Sequence, residues 1–376
     1  MVDTCLTKLI RACLKIQVLL RPDLPTWLRK HGRIALYKLC SASMLYPRCY
    51  VLKGITRDDS PKASGGFGDV YKGRHGSKTL CLKVVRLSKI TDVKPALQGL
   101  AKEGLVWGQL IHPNILPFYG IYYVDERHEQ ICLVSPWMDN GDLDTYLKQN
   151  PCVARTPLIH DIASGLEYLH SESVIHGDIK PANILVNDAG KACIADFGVS
   201  SIPVDQTLVY SQTVTTITAC SYRWAAPELL EAGCRATLAS DVWAFGCICY
   251  EILVGKVPFD DCIIDSQIIC QLLRGTSPIK PVPITHQDQI DADMWKLVER
   301  CCVCVPQDRP SCKAILEELR GTSLTDVNGM NHQAASDQLQ FQNEMRKEDA
   351  SIDLGRVEQI LSQLQVCHKF ISLETD

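Results

Sequence analysis

His176-Gly177-Asp178-Ile179-Lys180-Pro181-Ala182-Asn183 is the stretch on which the reading of this chain turns. An Asp, a Lys two positions later and an Asn five positions later put a base, a cation and a metal ligand on one short loop. Each residue type alone is ordinary surface polarity. Set together on one loop, they can take a proton, hold an anion and ligate a hard cation. Working outward, Asp196-Phe197-Gly198 begins thirteen residues after Asn183, and Ala226-Pro227-Glu228 is centred thirty residues beyond Phe197. Asp241-Val242-Trp243-Ala244-Phe245-Gly246 and Arg309-Pro310 follow.

Upstream lies Ser64-Gly65-Gly66-Phe67-Gly68-Asp69-Val70, running into Tyr71-Lys72-Gly73. Three glycines within five residues let the backbone approach a phosphate and present N–H groups to it. A dinucleotide-binding loop opens a helix. Here Val70 and Tyr71 are followed by a turn at Gly73–Gly76 and then by Thr79 to Val85, which reads as a hairpin with the glycine loop between strands. No Gly-Lys-Ser/Thr follows, which excludes a P-loop. Lys83 closes the run Leu80-Cys81-Leu82 and is expected to point into a lobe, the other reading being a lysine snorkelling at a sheet edge. Glu103 falls on an expected helix from about Lys94 to Leu110, where it either pairs with Lys83 or stays a solvated helix charge.

The chain of 376 residues is 46% hydrophobic and 22% charged, which excludes wholesale disorder. It has no apolar run long enough to span a membrane. A net charge of -4 is not that of a dedicated nucleic-acid binder. Residues 1–50 carry a balance of +7 and residues 321–376 one of -5, so both ends read as separate from the middle. Leu6, Leu9, Ile10, Cys13 and Leu14 fall at helical spacing in a basic extension, read as a short helix packing on the main domain in preference to a mitochondrial targeting helix or a membrane-surface helix. The polar, acidic tail ends in Val357, Ile360, Leu361 and Leu364, a terminal helix that docks on the domain or on a partner. Nineteen cysteines show no second Cys-x-x-Cys or His pair to answer Cys301, Cys302 and Cys304. They read as small buried hydrophobes in a reducing, cytoplasmic setting without a disulfide framework. Short strands from about 60 to 136 followed by helical patterns from 142 to 320 predict an α+β arrangement.

In the order and spacing of these motifs the chain resembles a eukaryotic protein kinase. The resemblance covers 55–320, and implies a bilobal kinase fold with a strand-rich N-lobe over about 55–138 and a helical C-lobe over about 139–320. His112-Pro113-Asn114-Ile115-Leu116-Pro117 and Arg223-Trp224-Ala225-Ala226-Pro227-Glu228 resemble the tyrosine-kinase-like group, including forms expanded in mushroom-forming fungi. The resemblance implies ATP and Mg2+ as cofactors and protein Ser/Thr hydroxyls as acceptors. Asp178 would be the catalytic base, Lys180 would steady the γ-phosphate, and Asn183 and Asp196 would hold magnesium. Lys83 would hold the α- and β-phosphates and pair with Glu103. Ala63, Ser64, Gly65, Gly66, Phe67, Gly68 and Val70 would cover the nucleotide. Cys81 would form part of the adenine roof and Leu185 part of the floor, with Ser135 as gatekeeper and Met138 as hinge contact. Trp107, Phe118, His176 and Phe197 would stack as a hydrophobic spine, and Arg309 would pair with Glu228.

Two positions depart from the family pattern. Ala63 replaces the first loop glycine, and Gly177 replaces the arginine that precedes the catalytic Asp and pairs with a phosphorylated activation loop. A phosphate on Thr213, Thr215, Thr216 or Thr218 thereby loses its usual charge partner, unless Arg223 or another cation takes that place. The competing function is a pseudokinase scaffold. Lys83, Asp178 and Asp196, the positions such proteins usually lose, are all present.

Overall fold

The computed structural model describes residues 50–65, 68–86, 103–124, 130–198, 200, 222–231, 233–278 and 292–321. They fall into two compact units, one holding 50–109 and 118–135 and the other 110–117 and 136–321. The strand-rich first unit and the helical second unit are the α+β arrangement expected. The expected helices at 6–14 and 357–364, the first part of the helix expected over 94–110, and the four activation-loop threonines lie outside the described residues.

The first unit is a six-stranded sheet. Its strands are β1 (Thr56–Arg57), β2 (Ala63–Gly65), β3 (Gly68–His75), β4 (Lys78–Arg86), β5 (Gly120–Tyr123) and β6 (Gln130–Pro136), in the order β1-β3-β4-β6-β5 with β2 paired to β3. β2 and β3 form the hairpin expected around the glycine loop, with Ser64 opposite Asp69 and Gly65 opposite Gly68. The next turn is shorter than the expected Gly73–Gly76: β3 runs through Gly73 to His75, leaving Gly76 and Ser77 as a two-residue connection. Gly76 has a φ of +58°, which such a tight turn requires. Gly73 stays in the strand because a Cβ there would lie 2.8 Å from both Leu82 and the Thr56 carbonyl. Leu80, Leu82 and Val84 alternate with Cys81 and Lys83, and the first three pack with Leu52, Ile55, Tyr119, Cys132 and Val134 into one core. A strand's period of two thus sends Cys81 and Lys83 to the opposite face.

In the second unit α1 (Leu143–Gln149) is capped by the Asp142 carboxylate, which accepts from Thr145 N at 2.8 Å. α2 (Arg155–Ser171) leads into the loop of His176, and β7 (Ile184–Val186) and β8 (Ala192–Ile194) form an antiparallel hairpin after it. α3 (Leu238–Val254) starts at a Thr237/Ser240 capping box and stops at Gly255, whose φ is +73°. Every residue of α3 from 240 to 252 is buried, as befits a helix apolar nearly all round. α4 (Asp265–Leu273), α5 (Ala292–Cys301) and α6 (Cys312–Gly321) complete the unit. α5 packs on α3 where a Cβ on Gly246 would fall 2.7 Å from Cys301 Cβ and Cys302 Sγ. The thirteen described cysteines are free thiols. No helix among the described residues is long and apolar enough to cross a membrane, and they hold no cluster of three or more His, Cys, Asp or Glu able to bind a metal.

Candidate functional site

The sheet sorts the expected nucleotide contacts onto one side. Ala63 stands opposite Val70, and Val70 opposite Lys83. Directly paired residues share a face, so Ala63, Val70 and Lys83 lie on the same face as Cys81. Ser135, buried at 3% exposure, has the odd parity that opposes core residues Cys132 and Val134. It hydrogen-bonds the Cys81 thiol, which burial pushes up to about 11, the Ser135 bond and the Lys83 charge acting in the other direction. Residues 103–107 are helical, and Glu103 accepts from Lys83 Nζ at 2.9 Å, which settles both alternatives left open for these two residues. Ser64 Oγ donates to Asp69 Oδ1 at 2.7 Å across the base of the glycine loop. Gly66 and Phe67 at its tip lie outside the described residues. Gly68 has a φ of +136°, whereas Ala63 has no positive φ, so the added methyl meets no backbone strain.

In the second unit the Asp178 carboxylate takes Lys180 Nζ at 2.6 Å and Asn183 Nδ2 at 3.0 Å on Oδ2. Asn183 Nδ2 also donates to the Asp178 carbonyl at 2.8 Å. Both amide hydrogens are thus spent inside the loop, which fixes the amide and leaves Oδ1 as its acceptor. The Asn183 carbonyl accepts from Ala195 N at 2.8 Å, tying this loop to the approach to Asp196. His176, wholly buried, makes a second tie: its Nε2 lies 3.0 Å from the Ala195 carbonyl, so Nε2 carries the proton and Nδ1 accepts from Asp178 N at 3.3 Å. Asp196 has a φ of +65°, the left-handed region that an Asp occupies at a cost of about 1 kcal/mol or more, with Oδ1 accepting from Gly198 N at 3.3 Å. Leu185 sits half-buried on β7 opposite Cys193, and the Met138 carbonyl accepts from Gly141 N at 3.1 Å in the turn after β6. Of the four rings expected to stack as a spine, Trp107 meets Phe118 at 5.1 Å in the first unit, and His176 meets Phe197 at 5.4 Å in an edge-on contact in the second.

Two cations are spent structurally. Arg309 forms its expected bond to Glu228, described further below, and Arg223 gives its guanidinium to the carbonyls of Pro258, Phe259 and Cys262 at 2.6 to 2.9 Å. The four threonines whose phosphate Arg223 was considered to read lie outside the described residues. Asp241, the first residue of the Asp241–Gly246 motif, holds a role that the motif alone does not announce. Its Oδ1 accepts from Gly177 N at 2.8 Å and its Oδ2 from His176 N at 2.9 Å, so this buried carboxylate holds the backbone of the loop. An acid in the first turn of an otherwise apolar helix was the available signal.

A family model described as "Protein kinase domain" matches residues 63–319. Among curated proteins the chain is 28% identical over 263 residues to serine/threonine-protein kinase STY46 of Arabidopsis thaliana, covering 69% of this chain and 42% of that one. It is 28% identical over 268 residues to mitogen-activated protein kinase kinase kinase 10 of Xenopus laevis, covering 68% and 25%. With probable serine/threonine-protein kinase PknB of Lactococcus lactis it shares 32% identity over 202 residues, covering 52% and 31%. The chain thus spans less than half the length of each of these relatives. With the family model covering well over half of the sequence, this chain belongs to the protein kinase family.

Proposed function

We propose that this chain transfers the γ-phosphate of ATP to serine and threonine hydroxyls of protein substrates, through a kinase domain at 55–320 flanked by extensions at 1–50 and 321–376. The observation that carries the reading is the loop in which Asp178 sits 2.6 Å from Lys180 and 3.0 Å from the Asn183 amide. The donor chemistry fits magnesium: Asn183 has only its oxygen left to offer, and Asp196 adds a carboxylate, a hard all-oxygen set. Bound Mg-ATP would supply the phosphoryl group and the cation that offsets its charge. Lys83, oriented by Glu103, would take the α- and β-phosphates, and the glycine loop would give them backbone N–H groups. Asp178 would accept the hydroxyl proton of the acceptor, with Lys180 beside it to hold the transferring phosphate. The protein's part is positioning and charge neutralisation.

The finer assignment to the tyrosine-kinase-like group rests on the segments at 112–117 and 223–228 and is supported by similarity to kinases such as the Xenopus relative above. Gly177 in place of an arginine, with Arg223 engaged by three carbonyls, supports an activity that does not depend strongly on activation-loop phosphorylation. The second reading, a weakly active or inactive scaffold, is favoured by the same Gly177. We expect no nucleic-acid partner. The test is transfer of labelled γ-phosphate from Mg-ATP to a generic basic protein substrate, followed by phosphoamino-acid analysis. Label on serine and threonine is the expected result. Label on tyrosine alone, or none while nucleotide still binds, would refute it.

A further inference from the structure

One buried thiol touches the machinery indirectly. Cys312, at the start of α6 and 3% exposed, places Sγ 3.3 Å from His170 Nδ1 near the end of α2. The other ring nitrogen, His170 Nε2, lies 3.1 Å from Asp241 Oδ2. Asp241 in turn holds His176 N and Gly177 N. Three helices thus meet at one imidazole, and its two nitrogens face very different groups. Asp241 carries only acceptors, so the proton belongs on Nε2. Nδ1 then needs a donor, and the Cys312 S–H is that donor, because burial keeps the thiol protonated.

We infer that Cys312 is a positioning residue for phosphoryl transfer: its S–H donates to His170 Nδ1 and holds the imidazole in the orientation from which Nε2–H steadies the Asp241 carboxylate that holds the catalytic loop. The inference rests on the function proposed above, but its structural half can be read without any turnover. A cysteine with no partner would be a small hydrophobe here and valine would replace it at no cost. A donor to an imidazole is replaced by serine and not by valine.

The test compares wild type, Cys312→Ser and Cys312→Val by 15N-detected imidazole NMR and by phosphoryl transfer. In wild type and Cys312→Ser, His170 should show the neutral Nε2–H pattern, with kcat within about twofold of each other. Cys312→Val should keep the Nε2–H tautomer but shift the His170 Nδ1 resonance to that of a nitrogen without a hydrogen-bond donor, with a kcat about fivefold lower at unchanged KM for ATP, the size of one lost hydrogen bond's worth of orientation. An Nδ1–H tautomer or an imidazolium in the wild type overturns the inference, even if Cys312→Val does not fold. So does a folded Cys312→Val that keeps the wild-type Nδ1 resonance and kcat. If the wild type transfers no phosphate, the proposed function fails while the NMR signature still decides the role of Cys312.

Discussion

Arg309 grips Glu228 with two hydrogen bonds of 2.7 Å each, one from each terminal nitrogen. The remaining N–H groups donate to the carbonyls of Val303, Ala239 and Cys304 at 2.8 to 3.1 Å, so all five guanidinium donors are used by a fully buried side chain. The guanidinium also lies 5.1 Å from the ring centre of Trp243. No ammonium can reproduce this fork. Arg309→Lys should destabilise the fold by about 3–5 kcal/mol, the cost of breaking a buried pair from one side. Urea denaturation reads it directly, and a loss under about 1 kcal/mol would mean the pair is not what braces the segment at 228.

Gly177 has a φ of +79°, a conformation that side chains other than glycine's resist. Gly177→Ala should lower stability by about 1 kcal/mol, and Gly177→Arg should cost a similar amount in backbone strain. Equal denaturation midpoints for wild type and both variants would contradict a strained backbone at this position.

Glu251 sits in α3 at 7% exposure and accepts from Trp224 Nε1 at 3.2 Å. Burial pushes its carboxyl up to about 7, the Trp224 bond acting in the other direction. A raised carboxyl pKa means that the folded state holds a proton the unfolded chain has lost. The stabilising contribution is therefore complete below the ordinary glutamate range and falls away as the pH rises from about 4.5 to about 7. The loss is on the order of 3 kcal/mol. Glu251→Gln, which keeps an acceptor for Trp224, should flatten this part of the stability profile. A variant with the same pH slope as the wild type would place the titration elsewhere.

Lys83 and Glu103 form a half-shielded pair, with side-chain exposures of 18% and 8%. Glu103→Gln removes the charge that orients the lysine. On the proposed function, kcat/KM for ATP should fall about 10- to 100-fold, the worth of a charge-assisted hydrogen bond, with little change in melting temperature. An unchanged kcat/KM would detach the pair from nucleotide use.

Much of this could be read from the residues in order. The hairpin around the glycine loop and the helical second half were legible, because glycine spacing and apolar periodicity each have few structural solutions, and the partnership of Arg309 with Glu228 followed from the family resemblance. The direction of Lys83 needed the register. Three apolar neighbours suggest a buried strand, but only pairing with β3 shows that Leu80 and Leu82 face the core while Cys81 and Lys83 face the other way. The turn at Gly76 was placed too early because Gly73 looked like a turn residue, when the nearby Thr56 carbonyl leaves no room for a side chain. Asp241, Cys312 and His170 are separated by 71 residues or more, and no local pattern announces that they meet. Equally silent in the sequence are the bonds of Arg223 to the carbonyls of Pro258, Phe259 and Cys262, 35 to 39 residues away.

The most direct test of the central claim compares wild type with Asp178→Asn for transfer of labelled γ-phosphate from Mg-ATP, alongside thermal stabilisation of both by nucleotide. The expected result is transfer by the wild type, transfer lowered at least 100-fold in the variant, and nucleotide stabilisation of both. Equal transfer by the two proteins would remove Asp178 from the chemistry. Silence from both, with stabilisation intact, would contradict an active kinase and leave the scaffold.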